Sequence, residues 1–241
     1  MSDIATLLAS YPRKRPPLPP ANARIYVEEY RINRGATAHA LYQVTARLES
    51  WMHRQVASGG SGQRVLEFGA GTLNHRPYEA DALIYDIVEP FSALYDGRPE
   101  LARVSHIYPA IRDVPVSPGY DRIFSVAVLE HLEDLPSAIS SCALRLSPGG
   151  IFQAGIPAEG GFTWGLAWRT TTGISYRLRT GLSYAPVMRH EHLNNAAEII
   201  AIIRYFFQDV RIRWHPLPAR HLAFYGYIEA RTPRLDRCKE L

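Results

Sequence analysis

Five short apolar runs constrain this chain more than any other feature. They read RVLEF (64–68), LIYDIV (83–88), RVSHIY (103–108), DRIFSV (121–126) and IFQAGI (151–156). Runs this short and this apolar are predicted to be strands, and strands that alternate with helices build a parallel sheet covered on both faces. Two further runs near the end, DVRIRWH (209–215) and LAFYGYIEA (222–230), alternate polar with apolar residues and predict a closing antiparallel pair. The expectation is a doubly wound α/β domain with seven strands, mostly parallel, and an antiparallel final strand.

The helices between the strands are partly legible. After Gly35, Leu41, Val44, Leu48, Trp51 and Met52 recur at helical spacing, predicting an amphipathic helix that faces the core. SGGSG at 58–62 breaks it. Pro136 opens another helix, with Ile139, Cys142, Ala143 and Leu146 on one face, and SPGG at 147–150 ends it. Asn195 followed by Glu198 predicts a capped helix at about 195–207. YPRKRPPLPPAN (11–22) is expected to be extended or irregular. Residues 162–190, rich in aromatics, glycine and arginine, have no clear assignment. The chain thus divides into an N-terminal extension over 1–62 and a core over 63–241, with an insertion at about 160–195.

Composition narrows the class. A chain of 241 residues with 46% hydrophobic and 21% charged residues can bury one sizeable core. No apolar stretch approaches the roughly 20 residues of a membrane helix. The N-terminus places an acid before its short apolar patch and its basic cluster after it, the wrong order for a secretory signal. Cys142 and Cys238 match no metal spacing, so no metal and a cytoplasmic location are expected. The net charge is +4, and the arginines and lysine at 13–15 are read as solvated surface rather than an anion site.

The first strand runs into a glycine loop, VLEFGAGTLNH (65–75). Gly69 and Gly71 allow a tight turn and close approach of backbone to a ligand. A dinucleotide site wants a third glycine, and Asn74 stands there instead. Glu67 precedes the loop. Glu89 ends the next strand, 20 residues beyond Gly69, where a ribose-binding acid is expected. Asp86, three residues earlier on that strand, competes for the role.

Together with YDRIFSVAVLEHLEDLPSAI and LSPGGIFQAGIP, these motifs resemble the class I S-adenosylmethionine-dependent methyltransferases over about residues 63–157. The resemblance implies a Rossmann-like fold, S-adenosylmethionine as cofactor, and an N-terminal lid helix carrying Tyr26, Tyr30, Asn33 and Arg34. It implies that Glu67 helps hold the cofactor's amino group and that the backbone of Gly69, Ala70 and Gly71 passes its methionine portion. Glu89, followed by Pro90, would take both ribose hydroxyls, and Ser125 and Leu129 would lie beside the sulfonium. The family usually places an acid against adenine near Ala110 or Ile111. Neither is acidic here, so adenine is expected to rest on backbone and apolar contact around Ile111. Many relatives carry glycine at the position of Leu73. His131 is open between a packed turn residue and a ligand contact.

For the acceptor, the resemblance points to the segment after the fifth strand. Phe162, Trp164, Trp168 and Tyr176 could wall a pocket, with Tyr225 and Tyr227 at its edge. His190 or His192 in MRHEHLNN could serve as base for an oxygen nucleophile, although the same residues suit a polar helix entrance. The expected activity is O-methylation of a small molecule or saccharide by direct displacement. The alternatives are N-methylation, which needs no base for a neutral amine, and cofactor binding without catalysis. No nucleic-acid partner is expected, since no N/D-P-P-Y/F signature is present. The oligomeric state is open, with a homodimer as the candidate.

Overall fold

All seven strands pair into one sheet, in the order β3-β2-β1-β4-β5-β7-β6, in a computed structural model of the chain. It describes residues 3–32, 40–59, 62–80, 82 and 84–239, without the side chains of 27–32 and 40–48. The strands are β1 (Arg64–Phe68), β2 (Ile84–Val88), β3 (His106–Tyr108), β4 (Tyr120–Val126), β5 (Leu146–Pro157), β6 (Phe207–Pro216) and β7 (Ala223–Pro233). β1 pairs in parallel with both β2 and β4, while β7 runs antiparallel between β5 and β6. The order reverses beside β1, and ligands of such sheets bind beyond the carboxyl ends of the strands at that point.

Period-two alternation sends each strand's side chains to two cores. Leu66, Phe68, Ile123, Phe152 and Ile156 pack with α4 (Leu135–Leu144) and α8 (Ala196–Phe206). Val65, Tyr85, Ile87, Phe124 and Tyr227 pack on the other face, with Val56 of α3 (Ala40–Ser58). Met52 is buried as the helical spacing requires. Leu41, Val44 and Leu48 lie outside the described side chains. The expected cap of α8 is a capping box: the Asn195 side chain accepts from the amides of Ala197 and Glu198, and Glu198 Oε2 accepts from the Asn195 amide. Among the described residues no helix is long and apolar enough to cross a membrane.

Several boundaries move. β3 begins at His106 because Pro99–Arg103 forms a 3-10 turn. β5 begins at Leu146, which pairs with Tyr120 and so belongs to the sheet rather than to a helix face. Residues 162–191 are helical: α5 (Phe162–Trp168), a π turn (Arg169–Gly173), α6 (Ile174–Thr180) and α7 (Ala185–Glu191). Ahead of the core, α1 (Ile4–Ala9) packs on α8, and the proline-rich tract stays extended only until Pro20 starts α2 (Pro20–Ile32).

The basic cluster at 13–15 is not simply solvated surface. In an extended segment, Arg13 and Arg15 point inward while Lys14 points out. Arg13 grips the Glu198 carboxylate with two bonds (2.8 and 3.0 Å) and donates to the Leu193 carbonyl. Arg15 donates to the carbonyls of His131 (2.7 Å) and His190 (3.0 Å). Tyr11 adds a bond to Asn194 (2.7 Å), whose amide holds the carbonyls of Leu129 and Leu132. This strap ties the turn after β4 to the α7–α8 connection.

Candidate functional site

A cavity of about 670 Å³ opens at the carboxyl ends of β1, β2 and β4. Its floor is the glycine loop. Gly69 has φ 80°, and a Cβ there would lie 2.5 Å from Val128. Gly71 has φ 51°, and a Cβ there would meet nothing within 4 Å, so its backbone faces open space. Leu73 takes φ 60°, a left-handed conformation that ordinarily favours glycine. Among the described residues between this loop and β2 there is no α-helix, only turns and the 3-10 segment Arg76–Tyr78. The helix N-terminus that a pyrophosphate would use is therefore missing here.

Glu89 stands at the cavity wall just past β2, nearly buried. Its Oε2 accepts from the Gly71 amide (2.8 Å) and its Oε1 from the Phe91 amide (3.0 Å). Two backbone donors thus fix the carboxylate, and a carboxylate's remaining lone pairs can accept two more hydrogen bonds. Pro90, Phe91, Leu94, Pro109, Ala110 and Ile111 continue the wall as an apolar slot, suited to a flat aromatic base. Asp86 is not at the site. It is buried, accepts from the Tyr120 hydroxyl and pairs with His106 (2.8 Å).

Other expected residues are placed elsewhere. Gly69, Ala70, Gly71, Glu89, Pro90 and Ile111 line the cavity, whereas Glu67, Ser125 and Leu129 do not. Glu67 points to the α3 side of the sheet because it alternates with Leu66 and Phe68. Its carboxyl accepts from the Tyr85 hydroxyl (2.7 Å), and burial pushes it up to about 8. It belongs to a buried polar layer in which His53 meets His75 (2.9 Å), His75 meets Glu79 (2.8 Å) and Glu79 meets Arg122. Burial holds His53 down at about 4. Ser125 and Leu129 are buried in the sheet core, and the Ser125 hydroxyl has no partner.

The acceptor-side residues also separate. His190 donates from Nδ1 to the Pro16 carbonyl (2.8 Å) and lies edge-on to Tyr26, with no part in the cavity lining. His192 is held by Glu159 through Nδ1, and its ring lies 4.9 Å from that of His131, which does line the cavity. His131 in turn bonds the Glu191 carbonyl (2.7 Å). Trp164 stacks toward His192 and meets Tyr225 edge-on (5.9 Å). Phe162 is exposed, Trp168 packs against Tyr184, and Tyr176 is buried against Asn22 of α2. Tyr227 bonds Gln153 (2.7 Å) in the α3-side core.

Tyr26 bonds Glu191, so α2 docks on the insertion. Among the described residues none from 3–32 lines the cavity. Tyr30, Asn33 and Arg34 lie outside the described residues or side chains. Sequence reasoning missed Glu49 of α3 and the Val126–Val128 segment, where Ala127 takes φ 54° at the end of β4. Glu49 reads as a solvated helix position, and nothing in one sequence marks it otherwise.

No protein-family model matches the chain, and no curated protein matches it. Solved structures do match. One is a methyltransferase dependent on S-adenosylmethionine from Thermotoga maritima, described as a possible histamine N-methyltransferase: 15% identity, 85% of this chain and 95% of that one, TM-score 0.58. Another is the N-methyltransferase NodS from Bradyrhizobium japonicum WM9 in complex with S-adenosylhomocysteine: 16% identity, 77% and 86%, TM-score 0.53. A third is an O-methyltransferase family protein from Burkholderia thailandensis: 13% identity, 80% and 57%, TM-score 0.50. Six strands of one direction with an antiparallel β7 inserted beside β5 make the fold of the class I S-adenosylmethionine-dependent methyltransferases. That fold serves acceptors of both nitrogen and oxygen type among its matches here.

Proposed function

We propose that the chain is an S-adenosylmethionine-dependent methyltransferase acting on a small molecule or saccharide. The observation that carries this reading is the Glu89 carboxylate, fixed by the amides of Gly71 and Phe91 at the wall of the cavity. The residues present fit the cofactor. Glu89 would hold the ribose, the slot from Pro90 to Ile111 the adenine, and the open backbone at Gly71 the methionine portion. When bound, the cofactor supplies an electrophilic methyl on a sulfonium. The protein's part is alignment and exclusion of water. Glu67, Ser125 and Leu129 lie outside the cavity lining and are assigned no contact with the cofactor.

For an oxygen acceptor, the expected base narrows to His192, since His190 is engaged with the N-terminal segment. Burial lowers the His192 pKa, but the bond to Glu159 and the charges of Glu159, Glu130 and Glu191 together outweigh it and leave the imidazole above its ordinary value. A raised pKa favours the protonated imidazole, which cannot accept a further proton, and this weakens the oxygen reading. The buried carboxyl of Glu130, one oxygen of which has no hydrogen-bond partner, favours a second reading, with a nitrogen acceptor. The test of the shared claim is turnover of radiolabelled S-adenosylmethionine with fractionated small-molecule extracts. Methylated product with release of S-adenosylhomocysteine is expected. Tight cofactor binding with no turnover in any fraction would leave a binding protein and overturn the enzymatic reading.

A further inference from the structure

Beside the cofactor cavity lies a group of side chains that the cofactor does not use. Glu130 occupies the middle of the 3-10 turn Leu129–His131 that follows β4, and its backbone carbonyl accepts from the amides of Leu193 (2.8 Å) and Asn194 (3.1 Å). Its side chain is buried. Oε1 lies 3.8 Å from Nε2 of His131, and Oε2 has no hydrogen-bond partner. A buried carboxyl oxygen without a partner costs on the order of 1–3 kcal/mol, more if charged. Glu49 reaches the cavity wall from α3, within electrostatic range of Glu130. Among the described residues, no lysine or arginine forms an ion pair with either carboxyl. Burial raises the pKa of both; the charge of Glu130 adds to the rise of Glu49, and those of His131 and His192 oppose that of Glu130.

Within electrostatic range of Glu130 are His131, His192, Glu159 and Glu49, and Tyr225 lies within range of both carboxyls. Trp164, edge-on to Tyr225, presents a second polar atom, Nε1, that is buried without a partner. A buried carboxyl with one unpartnered oxygen, a second carboxyl on the cavity wall and aromatic rings beside them match an ammonium group, which brings three donors, one positive charge and an affinity for aromatic faces.

Resting on the methyl-transfer reading, we propose that the acceptor is a protonated amine bound between Glu130 and Glu49, and that Glu130 takes its proton. The ammonium gives one proton to the Glu130 carboxylate and becomes a neutral amine. The nitrogen lone pair then forms the N–C bond to the methyl, while the broken S–C bond leaves its electrons on sulfur as a thioether. The methylated nitrogen carries the positive charge and stays opposite Glu49. The proton on Glu130 leaves through the partly exposed His131 ring. His192, bonded to Glu159 and lying against His131, takes no part in this transfer.

The test uses the full chain saturated with S-adenosylhomocysteine. A graded set of primary alkyl- and arylalkyl-amines, with the alcohol of the same skeleton for each, is assayed by melting shift. The same pairs are then assayed for label transfer from S-adenosylmethionine. Amines should raise the melting temperature and accept label, and their alcohols should do neither. Glu130→Gln should abolish the amine-dependent shift and lose on the order of 100-fold in kcat/KM, with S-adenosylhomocysteine affinity unchanged. No amine response in a protein that binds S-adenosylhomocysteine, equal response to alcohols, or a Glu130→Gln variant with wild-type amine response overturns the proposal. Failure of the wild type to bind S-adenosylhomocysteine would instead overturn the methyltransferase reading on which it rests.

Discussion

Replacing Glu89 with glutamine keeps the side chain's length but removes its charge and converts one acceptor oxygen into a donor. In the free protein, one of the amides of Gly71 and Phe91, now held at 2.8 and 3.0 Å, would face an N–H group. That costs about 1 kcal/mol of stability, a fall of roughly 2–4 °C in melting temperature for a chain this size. The bound state loses more. One ribose hydroxyl would lose its acceptor and the other would bond a neutral oxygen, where hydrogen bonds to charged groups contribute about 1.5–3 kcal/mol each. The net expectation is about 2–3 kcal/mol, or roughly 30- to 150-fold weaker binding of S-adenosylhomocysteine by calorimetry. Asp86→Asn is the control. It breaks the buried bond from Tyr120, so it should destabilise the fold while leaving affinity within about threefold. A Glu89→Gln variant that binds as wild type, or an Asp86→Asn variant that loses affinity equally, would refute the assignment of the ribose site.

Gly71→Ala meets no atom within 4 Å, so it should cost only the backbone strain of a left-handed alanine, about 1 kcal/mol, yet weaken S-adenosylhomocysteine binding at least about tenfold; equal small effects on both would mean the loop holds no ligand. Glu67 has a folded pKa near 8 against 4.5 ordinarily, so the unfolded chain ionises first and the stability it contributes below pH 4.5 is lost as pH rises toward 8. Glu67→Gln should therefore gain on the wild type between pH 5 and 8 by an amount on the order of a few kcal/mol in denaturant titrations, and parallel pH profiles would contradict this. Arg13→Met removes the paired bonds to Glu198 and should lower stability by about 1–2 kcal/mol, read by denaturant titration; no change would mean that the strap is ornamental.

The strand pattern was the most legible part of the chain, because burial on both faces or on one leaves a period in the sequence that tertiary context rarely overrides. Glu89 and the glycines could be placed for the same reason: the loop follows a strand, and strand ends are anchored by the sheet. What stayed illegible depends on which way a side chain turns in three dimensions. Glu67 is two residues from Gly69, yet alternation along β1 sends it to the opposite face. Glu49, on a helix whose apolar spacing suggests only a core face, becomes part of the cavity wall because α3 packs across β4, β5 and β7. The histidines of MRHEHLNN split in role because the Arg15 strap and Glu159 each claim one side of that segment, and both contacts span long stretches of sequence.

The measurement that bears most directly on the central claim is the melting temperature of the full chain at increasing S-adenosylhomocysteine, with NAD in parallel. At about 100 times the dissociation constant, a single site should add roughly 2.7 kcal/mol, a rise on the order of 5–10 °C. The rise should saturate for S-adenosylhomocysteine, shrink in Glu89→Gln and be absent with NAD. No response to S-adenosylhomocysteine, or an equal response to NAD, would contradict the account.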